Sequence, residues 1–175
     1  EQEPGKKALV LAHRDELTTQ NAEKFRTINP SISTSIVNAD QKDWSGQVVF
    51  AMVQTLSRET NLDQMPPVDF LVIDEAHHST SDTYLAIIDE VKKKSDNPKH
   101  IGFTATPNRS DGQGLRTNYS NVADQIFVGE LIRSGHLVPP RTFIIDVGAQ
   151  DELRSIRQVA GDFDMGAVDE IMNRE

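Results

Sequence analysis

The sequence contains no cysteine, so it has neither a disulfide framework nor a zinc site built on thiolates. It also lacks any apolar run near the roughly 20 residues that a membrane-spanning helix needs. Residues 1–7 are polar and do not form a secretory signal. These absences predict a protein without a membrane partner. A chain without cysteine is compatible with a reducing compartment, and we expect a cytoplasmic location.

Positive charge is scarce, because 18 lysine and arginine residues face 27 aspartate and glutamate residues and the formal net charge is −9. This balance argues against a broad basic surface for nucleic acid. It leaves room for a narrow track of phosphate contacts made by backbone amides and a few arginines. Local motifs therefore have to decide whether nucleic acid is a partner.

Strand and helix signals alternate along most of the sequence. Apolar or β-branched runs predict strands at residues 8–11, 33–37, 47–53, 70–73 and 100–103. Amphipathic segments predict helices at residues 14–28, 53–58, 81–94 and 129–134. Strands that alternate with helices predict an α/β fold of three layers, in which a mainly parallel sheet is covered on both faces.

The later part of the sequence is more polar. Residues 108–120 predict a surface loop, residues 141–147 one more strand, and residues 165–173 a terminal helix. We therefore expect a domain over residues 1–147 and a polar extension over residues 148–175. Because the sequence starts without methionine directly before a strand, we expect it to be part of a longer protein.

The strongest chemical signal is Asp74-Glu75-Ala76-His77, which directly follows the apolar run at residues 70–73. In open parallel sheets, ligands bind beyond the carboxyl ends of the strands. Ionised carboxylates beside a buried strand need a cation or hydrogen-bond donors, and a magnesium–nucleotide complex would supply the cation. An alternative is a metal-dependent hydrolase with a site built from Asp74, His77 and His78.

This tetrapeptide resembles the Walker B motif, in its DEAH form, of superfamily 2 helicases and translocases. Further segments fit in order and spacing: Ala12-His13-Arg14 resembles motif Ia, Thr55-Leu56-Ser57-Arg58 motif Ib, and Thr104-Ala105-Thr106 motif III. The run over residues 102–109 is similar to bacterial and phage DNA helicases, and the motor subunits of type I and type III restriction enzymes are near neighbours. The resemblance implies a RecA-like domain.

The resemblance also implies roles for individual residues. Asp74 would hold Mg²⁺ through water, and Glu75 would activate the water that attacks ATP. His77 would contribute to the nucleotide site and lie at the cleft towards a second RecA-like domain. The hydroxyl groups of Thr104 and Thr106 would form hydrogen bonds with His77 or Asp74. These bonds would couple the state of the bound nucleotide to the movement of the domains.

The candidate nucleic-acid residues follow from motifs Ia and Ib. The resemblance implies that these motifs hold a single strand of nucleic acid by its phosphates, and the similarity over residues 102–112 favours DNA. The side chains concerned are His13, Arg14, Thr55 and Arg58. His13 also fits a residue that merely ends a strand, and Arg58 also fits a solvated surface position.

One expected element is missing, because the sequence contains no G-x-x-x-x-G-K-[ST] phosphate loop. Pro4-Gly5-Lys6-Lys7 lacks the hydroxyl residue and leads into a strand rather than a helix. We therefore expect a RecA-like domain without its first strand–loop–helix unit, belonging to an ATP-dependent DNA helicase and nearly inactive alone. A translocating restriction-enzyme subunit and a non-catalytic module that binds nucleic acid or protein remain alternatives.

Overall fold

The computed structural model describes residues 5–107 and 115–141, together with the backbone of residues 158–159 and 162–163. Its contacts divide the chain into two compact units, Glu1–Asn121 and Val122–Glu175. The predicted domain boundary after residue 147 and the predicted helix over residues 165–173 lie outside the described residues. So does the predicted strand at residues 141–147, apart from its first residue. These three stay predictions.

Five parallel strands form the sheet of the first unit, in the order β2-β3-β1-β4-β5. They are β1 (Ala8–Ala12), β2 (Thr34–Val37), β3 (Val48–Met52), β4 (Phe70–Asp74) and β5 (Lys99–Phe103). The register pairs Ala12 with Met52 and Asp74 with Phe103, so the carboxyl ends of these strands lie along the same edge of the sheet. The predicted α/β class with a mainly parallel sheet is confirmed.

Helix α1 (Asp15–Ile28) covers β1, β2 and β3 on one face of the sheet. It begins directly after β1 with Asp15 and Glu16 in its first turn, where the helix dipole favours negative charge. Its side chains Ala22 and Phe25 pack in an apolar cluster with residues of β2 and β3. The helix ends just before Asn29-Pro30, as the sequence predicted.

Helix α4 (Asp82–Lys94) covers the opposite face. Its buried residues recur at the i, i+3, i+4 and i+7 spacing of one helix face, namely Tyr84, Ile87, Ile88 and Val91. They belong to the main core, which also contains the inward side chains Leu9, Leu11, Leu71 and Ile73 of the central strands. Helices on both faces give the three layers that the sequence predicted.

Two short helices link β3 to β4, where the sequence predicted one. Helix α2 (Val53–Leu56) is followed by α3 (Glu59–Gln64), which the sequence analysis missed. The ammonium group of Lys94 donates to the carbonyl oxygens of Leu62, Asp63 and Met65, with N–O distances of 2.7 to 3.1 Å. Lys94 therefore stabilises the end of α3.

The outer strand β5 leaves apolar side chains uncovered on the face that carries α1. Ile101 is 42% exposed and Phe103 is 61% exposed, although both alternate correctly with the inward-facing His100 and Gly102. A short 3₁₀ turn at Leu115–Thr117 follows β5 in the first unit and belongs to the predicted surface loop. Tyr119, just after this turn, packs against the main core.

The second unit contains helix α5 (Val128–Arg133), close to the prediction. The Phe127 N–H donates to Oε2 of Glu130 at 3.0 Å and closes the first turn. Gly135 follows with φ of +76°, a left-handed conformation that ends helices. Strands β6 (Gln158–Val159) and β7 (Asp162–Phe163) pair antiparallel. In the part of the chain that the structure describes, no helix is long and apolar enough to cross a membrane.

Candidate active site

Asp74 is the last residue of β4, and both of its carboxylate oxygens accept hydrogen bonds. Oδ1 accepts from the N–H of Glu75 at 3.0 Å, and Oδ2 accepts from Nδ2 of Asn21 at 3.3 Å. An ionised carboxylate has about four lone-pair positions, so both oxygens retain capacity for a cation or its water. The two donors fix the carboxylate plane at the sheet edge.

Glu75 adopts a left-handed backbone conformation, with φ of 53° and ψ of 53°. A side chain in this region costs on the order of 1 kcal/mol or more, and such strain is concentrated at functional sites. The conformation lets the chain leave β4, return its N–H to Asp74 and enter the 3₁₀ turn Ala76–His78. It separates the directions of two consecutive carboxylates, so that each can have its own partner.

The imidazole of His77 connects the ends of β4 and β5. Its Nδ1 lies 3.0 Å from Oγ1 of Thr104, 3.2 Å from Oγ1 of Thr106 and 3.2 Å from Oε2 of Glu75. An ionised carboxylate can only accept, so the contact with Glu75 favours a proton on Nδ1. The N–H of Thr106 also donates to Oγ1 of Thr104 at 3.1 Å. The structure brings His77, Thr104 and Thr106 together as predicted, and the hydroxyls reach His77 rather than Asp74.

Aromatic rings link His77 to the loop after β1. The ring of His78 lies 4.1 Å from that of His77 and 5.1 Å from that of His13, measured between centroids. Nε2 of Gln54 lies 3.1 Å from Nδ1 of His13. His13 is therefore held between the segments that follow β3 and β4. This explains how a residue of motif Ia is placed beside motif II.

A cleft of about 440 Å³ opens beside these groups. Its lining joins residues after β1 and in the first turn of α1 to residues after β4: His13, Arg14, Glu16, Leu17, Glu75, His77 and His78. The cleft therefore brings the predicted nucleic-acid residues of motif Ia next to the predicted catalytic Glu75.

The two motif Ib residues are placed differently. Arg58 is exposed at the start of α3, where it can meet a phosphate. Thr55 is only 4% exposed, and its Oγ1 faces the sulfur of Met52 at 3.9 Å. The prediction that the Thr55 hydroxyl donates to a nucleic-acid phosphate is at odds with this burial. Thr55 instead packs α2 into the core, and its carbonyl accepts from Nδ2 of Asn61 at 2.6 Å.

Sequence reasoning missed Asn21 and Gln54. Asn21 lies on the sheet-facing side of α1, three residues after the buried Thr18 and four before Phe25. A polar residue within that stripe was the available signal, because buried amides need partners. Gln54 carries no comparable signal.

Tyr84 lies near the site, where burial and the charges of Asp74 and Glu75 raise the pKa of its hydroxyl.

The donor set fits magnesium. Mg²⁺ prefers oxygen ligands and is commonly held by one or two carboxylates, with phosphates and waters completing the shell. The described residues contain no group of three or more His, Cys, Asp or Glu arranged to hold a metal. The alternative site of Asp74, His77 and His78 therefore gains no support. Since the sequence has no phosphate loop, these residues fit the metal side of a magnesium–nucleotide complex and not its phosphate side.

Residues 1–109 match the family described as the type III restriction enzyme, res subunit. The chain belongs to this family. The match includes β1 to β5 and all four motifs found in the sequence. The resemblance to superfamily 2 helicases and translocases is thereby confirmed.

Curated relatives agree with this family. The chain is 30% identical over 173 residues to a Saccharomyces cerevisiae protein provisionally named ATP-dependent helicase IRC3, a match of 95% of this chain and 24% of that protein. It is 32% identical over 142 residues to a Schizosaccharomyces pombe protein provisionally named mitochondrial ATP-dependent helicase irc3, covering 78% of this chain and 23% of the relative. The chain thus spans about a quarter of the length of these relatives.

A solved structure agrees with the fold. The crystal structure of the Pyrococcus furiosus Hef helicase domain aligns with a TM-score of 0.51 and 30% sequence identity, over 59% of this chain and 24% of that one. The five-stranded parallel sheet is therefore a RecA-like helicase sheet. The order of its strands places motifs Ia, II and III at one edge.

Proposed function

We propose that this chain forms the carboxylate-bearing part of an ATP-driven motor that moves along DNA or unwinds it. The observation that carries the proposal is the edge of the sheet where Glu75 directly follows Asp74, the last residue of β4, and β5 leads into Thr104. There His77 contacts both Glu75 and Thr104. The family match and the helicase names of the yeast relatives support the same motor class.

The proposed chemistry assigns a separate task to each carboxylate. Asp74 would hold Mg²⁺ through water, and bound Mg²⁺ would neutralise charge on the phosphate oxygens of ATP. Glu75 would orient the attacking water and take its proton. His77, with a proton on Nδ1, would keep the Glu75 carboxylate turned towards the cleft. Thr104 and Thr106 would transmit a change at His77 to β5 and towards a second RecA-like domain.

The proposed nucleic-acid track runs past the residues that follow β1 and α2. Arg14 lines the cleft and Arg58 is exposed, so both guanidinium groups can meet phosphates. The ring of His13, which stacks on the ring of His78, would pack against the bound nucleic-acid strand. With a net charge of −9, the chain would bind through these few contacts and not through a basic surface. The cytoplasmic location stays a prediction.

Replacement of Glu75 by Gln tests the proposal. In the full-length protein, Glu75→Gln should lower DNA-stimulated ATP hydrolysis at least 100-fold while nucleotide binding is retained, because the variant keeps the shape but loses the base. Glu59→Gln, which alters an exposed residue at the start of α3, is the matched control and should leave turnover unchanged. Turnover that survives Glu75→Gln would overturn the assignment.

Residues 1–175 alone should hydrolyse ATP very slowly, since their sequence carries no phosphate loop. Robust hydrolysis by the purified chain would contradict this expectation.

A restriction-enzyme motor is the second candidate, favoured by the family description. Such a motor would translocate along DNA without necessarily unwinding it. The full-length protein can be tested in parallel for displacement of a labelled strand from a duplex and of a third strand from a triplex. Displacement of the third strand alone would assign translocation, whereas displacement from the duplex would assign a helicase.

A further inference from the structure

We propose that Asn21 is a positioning residue that orients Asp74 towards the metal. This inference rests on the proposed function, because it takes Asp74 as the magnesium-side carboxylate. Asn21 and Asp74 are 53 positions apart in sequence and meet across the interface between α1 and the sheet. No helicase motif recognised in the sequence contains Asn21.

The two hydrogen bonds to Asp74 come from different sources. The donor to Oδ1 is the backbone N–H of the next residue, Glu75, which stays in place as long as the turn does. The donor to Oδ2 is the side-chain amide of Asn21. The rotation of the Asp74 carboxylate about its Cβ–Cγ bond therefore depends on a side chain from another element. Partners of this kind commonly fix the geometry of metal ligands.

The helix holds Asn21 firmly against the sheet. Its neighbours Thr18 and Ala22 are buried, and Ala22 packs in an apolar cluster with residues of β2 and β3. At the start of the helix, Oδ1 of Asp15 accepts from Nδ2 of Asn38 at 2.7 Å. Because the helix is tied at its start and along its buried side, the Asn21 amide has little freedom to leave Asp74.

An amide is the side chain that suits this task. It supplies an N–H donor without a charge, so it orients the carboxylate and leaves its negative charge for the cation. A lysine in its place would compete with Mg²⁺ for Asp74, and an aspartate would repel Asp74. Asn21 also ties the metal-side carboxylate to α1, the helix that directly follows Arg14 of the proposed nucleic-acid track.

Binding of Mn²⁺ to the 175-residue chain tests the proposal without any measurement of turnover. Mn²⁺ takes the same oxygen ligands as Mg²⁺ and broadens the amide resonances of nearby residues. We expect broadening centred on Asp74 and Glu75. Asn21→Leu, which keeps the size but removes the donor, should raise the Mn²⁺ concentration for half-maximal broadening about tenfold. Gln20→Leu makes the same change at an exposed neighbour and should have no effect.

A second variant separates orientation from damage to the helix. Asn21→Ala introduces no clash and should produce the same shift, with amide resonances of β1 and β3 unchanged. Half-maximal broadening at the original Mn²⁺ concentration in both variants would overturn the role of Asn21 alone. Absence of broadening around Asp74 in the unsubstituted chain would overturn the metal role of Asp74 as well, and the inference with it.

Discussion

Oγ1 of Thr104 lies 3.0 Å from Nδ1 of His77, so the residue after β5 contacts the turn that follows β4. Because of this contact, Thr104→Val and His77→Gln should show a coupling of roughly 1 kcal/mol in a double-mutant cycle. The free energy of unfolding in urea measures it. Thr60→Val, at an exposed position of α3, should be additive with His77→Gln. Additivity of Thr104→Val as well would show that no bond links the two strand ends.

Gly102 leaves room for the ring of Tyr119. A Cβ atom at position 102 would lie 2.5 Å from Cζ of that ring, which itself packs on His100 with centroids 4.6 Å apart. Gly102→Ala should therefore destabilise the chain by about 1–3 kcal/mol, through displacement of Tyr119. Urea denaturation and the near-ultraviolet circular dichroism of tyrosine would report the change.

The control for this substitution is Gly129→Ala, since a Cβ atom there meets its first neighbour at 3.6 Å. Alanine is also the better helix former, so this variant should lose no stability. A stable Gly102→Ala chain with an undisturbed tyrosine signal would contradict the close packing of Tyr119.

The stability of the fold should depend on pH through His100. Burial, helped by the positive charge of Lys92, lowers the pKa of His100 to about 4, against 6.5 for the free side chain. Between these values the unfolded chain binds a proton that the folded chain does not, so the free energy of unfolding falls as pH drops through this range. We expect His100 to account for roughly 1 kcal/mol of the loss, after allowance for solvent screening.

His100→Phe keeps an aromatic ring beside Tyr119 and cannot titrate. The difference in unfolding free energy between the unsubstituted chain and this variant should therefore change between pH 6.5 and 4. His136→Phe, at an exposed position of the second unit, is the control and should follow the unsubstituted chain. Parallel curves for His100→Phe and the unsubstituted chain would mean that the folded chain binds a proton at His100 as readily as the unfolded chain does.

Arg14 and Arg58 should contribute to binding of single-stranded DNA through phosphates. Arg14→Ala and Arg58→Ala should each weaken binding of a fluorescent oligothymidine several-fold and reduce the salt dependence by about one counterion. Arg133→Ala on α5 should leave the affinity unchanged. Fluorescence anisotropy at several salt concentrations provides the measurement, and an unaltered salt slope would remove either arginine from the track.

The same assay decides the case of Thr55. Its burial predicts that Thr55→Val leaves DNA affinity unchanged, whereas the motif pattern predicted a loss. A loss of affinity with intact stability would restore the hydroxyl to the nucleic-acid track.

Much of the fold could be predicted from local patterns. The apolar run of β4 and the stripe of α4 each satisfy one simple rule of burial. Helix α3 was missed because its sequence, with one leucine among Thr, Asn and Asp, has weak helix propensity. It is held in part by Lys94, which lies about 30 positions away and makes no local signal.

The site was predictable to the extent that its residues form continuous motifs. Asp74, Glu75, His77, Thr104 and Thr106 were found because they belong to segments that resemble helicase motifs and lie at or just after the ends of β4 and β5. Burial is not encoded in a motif, which is why the motif pattern predicted a nucleic-acid contact for the buried Thr55. The bond between Asn21 and Asp74 could not be predicted, because it depends on how α1 is rotated over the sheet.

The bare outer strand has a practical consequence for handling the chain. At neutral pH a net charge of −9 keeps copies apart, even though Ile101 and Phe103 face solvent. The isoelectric point is about 5.0, so this mutual repulsion vanishes in mildly acidic buffer. Under these conditions the exposed edge of β5 and its apolar side chains favour self-association of the chain, and we expect its solubility to fall. The acidic composition thus opposes self-association of the chain through the exposed side chains of β5 at neutral pH.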